Sequence, residues 1–183
     1  QRAAAAWAAG RFDAEAVPPF GAGSGVELTT DECVRANSSP ESLAKLKPVF
    51  RADGSVTAGN SSPMNDGAAA ILLGDERAEA TFGRDPLARV VSRAVSGIEP
   101  QLYGLGPVVA AQRALDRAGI GWGDLAAVEL NEAFAAQALA CLAHWPDLDR
   151  SIVNPNGGAI AIGHPIGCSG ARIVTTLAHE LRR

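Results

Sequence analysis

Apolar positions along this chain follow two different rhythms, and each predicts its own kind of element. Gln1 to Ala9 is an alanine-rich run that ends at Gly10 and predicts a helix, after which Pro18, Pro19, Gly21, Gly23 and Gly25 mark irregular loop. Ser39 before Pro40 and Glu41 is a helix start, with proline tolerated in a first turn whose N–H would be unpaired anyway, and Lys47-Pro48 ends that short helix. Gly54 turns into a strand. The apolar run Ala68 to Leu73 lies between Gly67 and Gly74 and predicts a buried strand, followed by a small helix over Asp75 to Phe82.

From Pro86 onward strands alternate with helices. Leu87 to Val95 is β-rich, Val108 to Ala118 predicts a helix closed by Gly119, Ala127 to Leu130 a strand, and Ala133 to Trp145 a further helix. Phe134, Ala138, Cys141 and Trp145 fall on one face of it and read as core. Ser169 is the expected cap of a last helix, with Ile173, Val174, Leu177, Ala178 and Leu181 as its buried stripe and Arg182 and Arg183 at its negative end. Such alternation implies a sheet layered by helices, with ligand sites in the loops that follow strands, where both Asn131 and His164 stand.

Composition narrows the classes. A net charge of −4 argues against a general nucleic-acid or anionic-membrane surface while leaving room for a local basic patch. The longest charge-free run, Ser151 to Ala171, is broken by Asn154, Pro155, Asn156 and Pro165 and is not expected to span a membrane. Three cysteines with no metal-ligand spacing predict free thiols in a reducing compartment, with cytoplasm the default, and no metal site. The N-terminus carries no secretory signal pattern.

Asn154 to Arg172 holds the richest chemistry: one histidine, His164, between Gly163 and Pro165, with Gly157, Gly158, Gly167 and Gly170 nearby. Glycines permit positive φ and close approach to a ligand, and proline limits how far the loop can wander, which suits a catalytic imidazole. The same loop could instead be a tight strand-to-helix connection whose histidine merely caps a carbonyl. His144 and His179 read as surface or helix-end residues. Glu132 either tunes the hydrogen bonds beside Asn131 or pairs with amides at the start of its own helix, the second being favoured.

The loop resembles the Gly-His-Pro signature of the thiolases, enzymes that make or break a carbon–carbon bond beside a coenzyme A thioester. Val128-Glu129-Leu130-Asn131-Glu132-Ala133-Phe134 resembles the Asn-Glu-Ala-Phe block of the family, and Thr57 to Ser62 leading into Asn65 to Ala70, together with Asp31 to Arg35, match in order and spacing. The resemblance covers essentially the whole chain. It implies an α/β fold, a thiolase-like layering of sheet and helices that is incomplete: the second half of the fold, lacking its final strands. Residues 1–62 would end the loop domain, 63–84 close the N-terminal thiolase domain, and 85–183 form most of the C-terminal one. It further implies truncation at both ends, with the nucleophilic cysteine before Gln1 and a second catalytic cysteine after Arg183. Cys33, Cys141 and Cys168 match neither.

On this resemblance His164 and Asn131 are the catalytic residues, an imidazole N–H and an amide-held water forming an oxyanion hole for the thioester carbonyl. In the family the matching histidine also accepts the proton of the nucleophilic thiol. Arg35 is placed near the adenosine end of coenzyme A and Ser62 on its pantetheine arm, with Ser42, Phe50 and Phe134 in the same groove and Tyr103 at the acyl pocket, where a methionine often stands. Arg35 could equally be an ordinary solvated charge. Pro63 follows Ser62 where many biosynthetic members have glycine. The implied activity is acyl transfer between coenzyme A thioesters, by thiolytic cleavage of 3-ketoacyl-CoA or condensation of acetyl-CoA. Coenzyme A thioester is the substrate, no cofactor is covalently bound, and the full-length protein is a homo-oligomer. The alternative is a non-catalytic thiolase-like module that binds acyl-CoA or pairs with a thiolase subunit. A chain lacking its other half is expected to expose apolar faces and sheet edges and to associate.

Overall fold

Seven helices connected by long irregular stretches make up the described part of the chain, residues 1–17 and 30–183 of a computed structural model. The loop predicted around Pro18 to Gly25 lies largely outside these residues. The helices are α1 (Arg2–Ala8), α2 (Pro40–Leu43), α3 (Ala78–Phe82), α4 (Gly106–Ala118), α5 (Ala135–Ala143), α6 (Ala159–Ile162) and α7 (Ile166–Glu180). Their ends obey the local chemistry. Ser39 and Ser42 bond each other's backbone N–H at the start of α2, and Gly83 and Gly119 close α3 and α4 in the left-handed conformation at φ 62° and 71°.

The core lies where α4 and α5 meet the segment before Asn131. Leu130, Ala138, Cys141, Trp145, Leu148 and Val153 are buried together, and Val108, Trp122, Val128 and Ile152 pack around them. Phe134 is only half-buried, so the predicted stripe of α5 is core from Ala138 onward. Trp122 and Trp145 stack with centroids 4.8 Å apart, and the Trp122 indole donates to Gln112 Oε1 at 2.9 Å. The strand predicted over Ala127 to Leu130 survives as one parallel bridge, Val128 to Val153, in which Val128 N donates to Ile152 O and Asn154 N to Val128 O.

Three expectations are corrected. Ala68 to Leu73 is not a buried strand: it has no ladder partner among the described residues, and Leu72 and Leu73 are each 75% exposed. Leu87 to Val95 likewise has no ladder there, yet from Val91 to Ile98 half-buried and exposed residues alternate with the period of a strand. One side of it is fastened to α4, where Ser92 Oγ donates to Ala114 O and Ser96 Oγ to Gly106 O. The last helix begins three residues before Ser169, so Ser169 does not cap it, and its predicted stripe is covered only in part: Ile173, Leu177 and Ala178 are half-buried and Val174 and Leu181 exposed, while Cys168, Ser169 and Thr176 are the buried positions. Polar partners override the apolar pattern here, because Arg172 on the covered face reaches Glu129 at 3.3 Å.

Candidate active site

Two loops meet at His164. The first leaves the Val128 bridge and carries Asn131, Glu132 and Ala133 into α5; the second leaves Val153, turns at Asn154, and runs through α6 to His164 and α7. Asn131 Nδ2 lies 3.2 Å from His164 Nε2. With the amide nitrogen of Asn131 as donor, Nε2 accepts and the imidazole proton belongs on Nδ1. That proton goes to Ser169 Oγ at 2.6 Å, and Ser169 Oγ donates onward to Pro165 O at 3.0 Å. The three bonds form one consistent chain of donors and acceptors that selects a single tautomer. In that tautomer the imidazole N–H faces Ser169, and Nε2 faces the Asn131 amide.

Ser169 was legible only as a cap. Its hydroxyl works instead as a bridge, five residues after His164 and in the first turn of α7. The loop is fastened from a second side by His164 N, which donates to Pro63 O at 3.3 Å. Gly163 has φ 93°, and a Cβ there would strike the amide of Asn65, so both conformation and space demand glycine. Asn131 Oδ1 and Asn65 Oδ1 are buried acceptors without a partner. The orphaned Asn131 oxygen fits the holding of a small donor such as water beside the imidazole.

The residues assigned to the coenzyme A groove fall into two groups. Ser62, Phe50 and Phe134 come together next to Asn131: Ser62 Oγ donates to Ala133 O at 3.0 Å, Ser61 bridges Phe134, and the Phe50 and Phe134 rings meet edge to face at 6.0 Å. Phe50 remains 70% exposed, an aromatic face open to a ligand. Ser42 has its hydroxyl engaged in the α2 cap, accepting from Ser39 N and donating to Ser39 O. Arg35 is exposed, and Tyr103 is 65% exposed on the turn Pro100–Leu105 that packs on α5. Neither makes a described contact with His164 or Asn131.

Cys33 and Cys141 are poor nucleophiles. Burial pushes the Cys141 thiol up, and burial with Asp31 beside it does the same to Cys33. Cys168 is buried in α7. No group of three or more metal-ligating side chains occurs among the described residues. The strongest electrostatic feature is Glu129, whose carboxyl is pushed up to about 7 by burial against the counter-pull of Arg172. One of its oxygens meets Arg172 and the other has no partner.

The fold of the chain has close counterparts. The chain aligns over its full length with an acetyl-CoA acetyltransferase of Bacillus anthracis, TM-score 0.91 at 44% identity, covering 46% of that chain. It does likewise with human mitochondrial 3-ketoacyl-CoA thiolase in complex with CoA, TM-score 0.88 at 45% identity, covering 45% of that chain. Its fold class is that of the thiolases. Residues 1–77 match the family description "Thiolase, N-terminal domain" and residues 84–183 match "Thiolase, C-terminal domain". The chain belongs to the thiolase family. Among its relatives, the acetyl-CoA acetyltransferase of Pseudomonas aeruginosa is 50% identical over 186 residues, and the 3-oxoadipyl-CoA/3-oxo-5,6-dehydrosuberyl-CoA thiolase of Escherichia coli is 49% identical over 188. All of this chain but only 47% of each relative is covered, so the chain spans about half the length of the curated relatives it matches.

Proposed function

We propose that this chain supplies the proton-handling half of a thiolase-type acyltransferase acting on coenzyme A thioesters. The observation that carries the reading is the bonded series Asn131, His164, Ser169, Pro165, with an orphaned amide oxygen on Asn131 beside the imidazole. An imidazole with one nitrogen held by a hydroxyl and the other bonded to a neutral amide that can exchange places with a substrate donor is suited to take the proton of a thiol. Once Nε2 is protonated it becomes a donor, and with a water oriented by Asn131 it can stabilise the oxygen of a thioester enolate. Each preorganised donor of this kind is worth about 3 kcal/mol in barrier. The thiol that gives up the proton is not Cys33, Cys141 or Cys168, whose surroundings do nothing to activate them, so it lies outside these 183 residues. Phe50, Phe134 and Ser62 line the approach, and Arg35 and Tyr103 are assigned to the adenosine and acyl ends on the family resemblance alone. A layered thiolase sheet, a homo-oligomeric whole protein and a reducing cytoplasmic setting belong to the same proposal.

Replacing the matching segment of the Pseudomonas aeruginosa relative by this chain tests it. The chimera is expected to cleave acetoacetyl-CoA with coenzyme A, and His164→Ala in it to lower turnover by on the order of 10²-fold or more. A folded chimera that turns over equally well without His164 sinks the assignment, and so does thiolysis by the 183-residue chain alone. The second reading, a non-catalytic module that pairs with a thiolase subunit, is favoured by the exposed Leu72, Leu73, Val90 and Val91. Co-elution of the chain with such a subunit, together with an inactive chimera, would support it instead.

A further inference from the structure

Glu132 was expected to serve its own helix, and it does not. Its Oε1 accepts from Asn154 Nδ2 at 2.9 Å, and its Oε2 accepts from Ile160 N at 3.3 Å, both on the other loop. Asn154 is itself unusual. It is buried, it is the one described non-glycine residue at positive φ (47°), and its amide bonds both sides of one peptide rung: Leu130 N donates to Asn154 Oδ1 at 2.8 Å, and Asn154 Nδ2 donates to Leu130 O at 2.9 Å. The side chain therefore replaces the next residue of the parallel bridge while the backbone turns away toward His164. A Cβ on Gly158 would collide with the Glu132 carboxylate and come within 2.7 Å of Asn154 Nδ2, so the loop is closed tightly around these groups.

We propose that Glu132 and Asn154 are positioning residues, a clamp that fixes the Asn131 loop against the His164 loop and so sets the bond between the catalytic amide and imidazole. The inference rests on the role assigned to that pair above. It makes a chemical demand: both partners of Glu132 are N–H donors, so the residue must be an acceptor at both oxygens. Glutamine has the same shape but turns a donor toward one of them.

Long-range proton–nitrogen spectra of the ¹⁵N-labelled chain read the clamp without any turnover assay. His164 is distinguished from His144 and His179 by its loss in His164→Gln. In the unaltered chain it is expected in one tautomer, protonated at Nδ1. Glu132→Gln is expected to abolish that pattern, giving tautomer-averaged signals. Leu115→Ala, a core truncation in α4, is expected to lower the melting temperature and leave the His164 pattern intact. Should Glu132→Gln not fold, Asn154→Gly serves, since glycine takes φ 47° without strain and removes the bond to Glu132 together with the two to Leu130. Persistence of the single tautomer in either folded variant overturns the proposal, as does tautomer averaging in the unaltered chain. Retained single-tautomer signals with an inactive chimera would instead count against acyl transfer and leave the clamp standing.

Discussion

Two regions of this molecule differ in whether their side chains find partners within the chain. From Val128 to Glu180, nearly every functional polar group has a named partner: Asn154 on Leu130 and Glu132, Asn156 on Glu180, Arg172 on Glu129, His164 on Asn131 and Ser169. From Met64 to Val95, apolar side chains that a folded domain would cover stand in solvent, including Met64, Leu72, Leu73, Val90, Val91 and Val95. The difference lies in where each segment finds its partners. The first is closed by contacts within the chain, whereas the second carries strand-forming residues whose ladder partners are not among the described residues. On the proposed reading, the remaining half of a thiolase supplies them.

Hydrogen exchange gives the largest contrast. Amides from Ala68 to Leu73 have no described backbone acceptor, while Asn154 N and Ala138 N are bonded at 2.8 and 3.0 Å inside the core region. The first set is expected to exchange on the order of 10³-fold faster than the second. Equal protection in the isolated chain would mean that the two regions share one cooperative unit, and the contrast would fail.

The same substitution in the first region and just past the end of the second sharpens it further. Gly158→Ala would drive a methyl group into Glu132, and Gly157→Ala would add a Cβ at φ 88° within 2.8 Å of Ala3 backbone; each is expected to cost roughly 3 kcal/mol or more in chemical denaturation. Gly97 has nothing within 4 Å of its would-be Cβ, so Gly97→Ala is expected to be neutral or to stabilise by about 0.5 kcal/mol through the unfolded state. A cost at Gly97 similar to that at Gly158 would show hidden packing around the exposed segment.

Much of the helical framework was readable from residues alone. Cap chemistry gave α2, a terminal glycine closed α4, and Ala138, Cys141 and Trp145 announced the core face of α5. The adjacency of Asn131 and His164 came from motif resemblance rather than from periodicity, since they stand 33 residues apart. What stayed hidden depends on tertiary partners. Ser169 looked like a cap because serine before a helical stripe usually is one, and nothing local reveals that Pro165 already starts the helix. The stripe of α7 was half right: polar residues share the covered side, because Arg172 meets Glu129 and Thr176 meets Glu15, carboxylates from elsewhere in the sequence. Ala68 to Leu73 read as buried because an apolar run carries no record of whether its neighbours are present.

Acid titration probes the compact region from within. Glu129 is held near pH 7 by burial, against an ordinary value of 4.5. Between those pH values the folded chain keeps a proton that the unfolded chain has lost, so stability falls as pH rises across that window and then levels off. The drop is up to roughly 3 kcal/mol from this group. Glu15, also raised by burial, adds in the same direction. Glu129→Gln is expected to flatten most of the slope of melting temperature between pH 4.5 and 7 and to leave the chain more stable than the parent at pH 8. A variant less stable than the parent at pH 8 would mean that the Arg172 bridge outweighs burial.

The smallest thermodynamic effect is expected at Leu73, and it bears most directly on why the two regions differ. Leu73 is 75% exposed with no described partner, so Leu73→Lys removes no packing and is expected to change stability by less than about 0.5 kcal/mol. It places a charge on an unpaired apolar segment, the device by which sheet edges resist adding further strands, so self-association in sedimentation should fall. A large loss of stability with unchanged association would show that Leu73 already packs within its own chain. Unchanged stability with the monomer restored would show that only a second surface covers it, and that the open half of this molecule is held back by missing neighbours rather than by poor strand-forming residues.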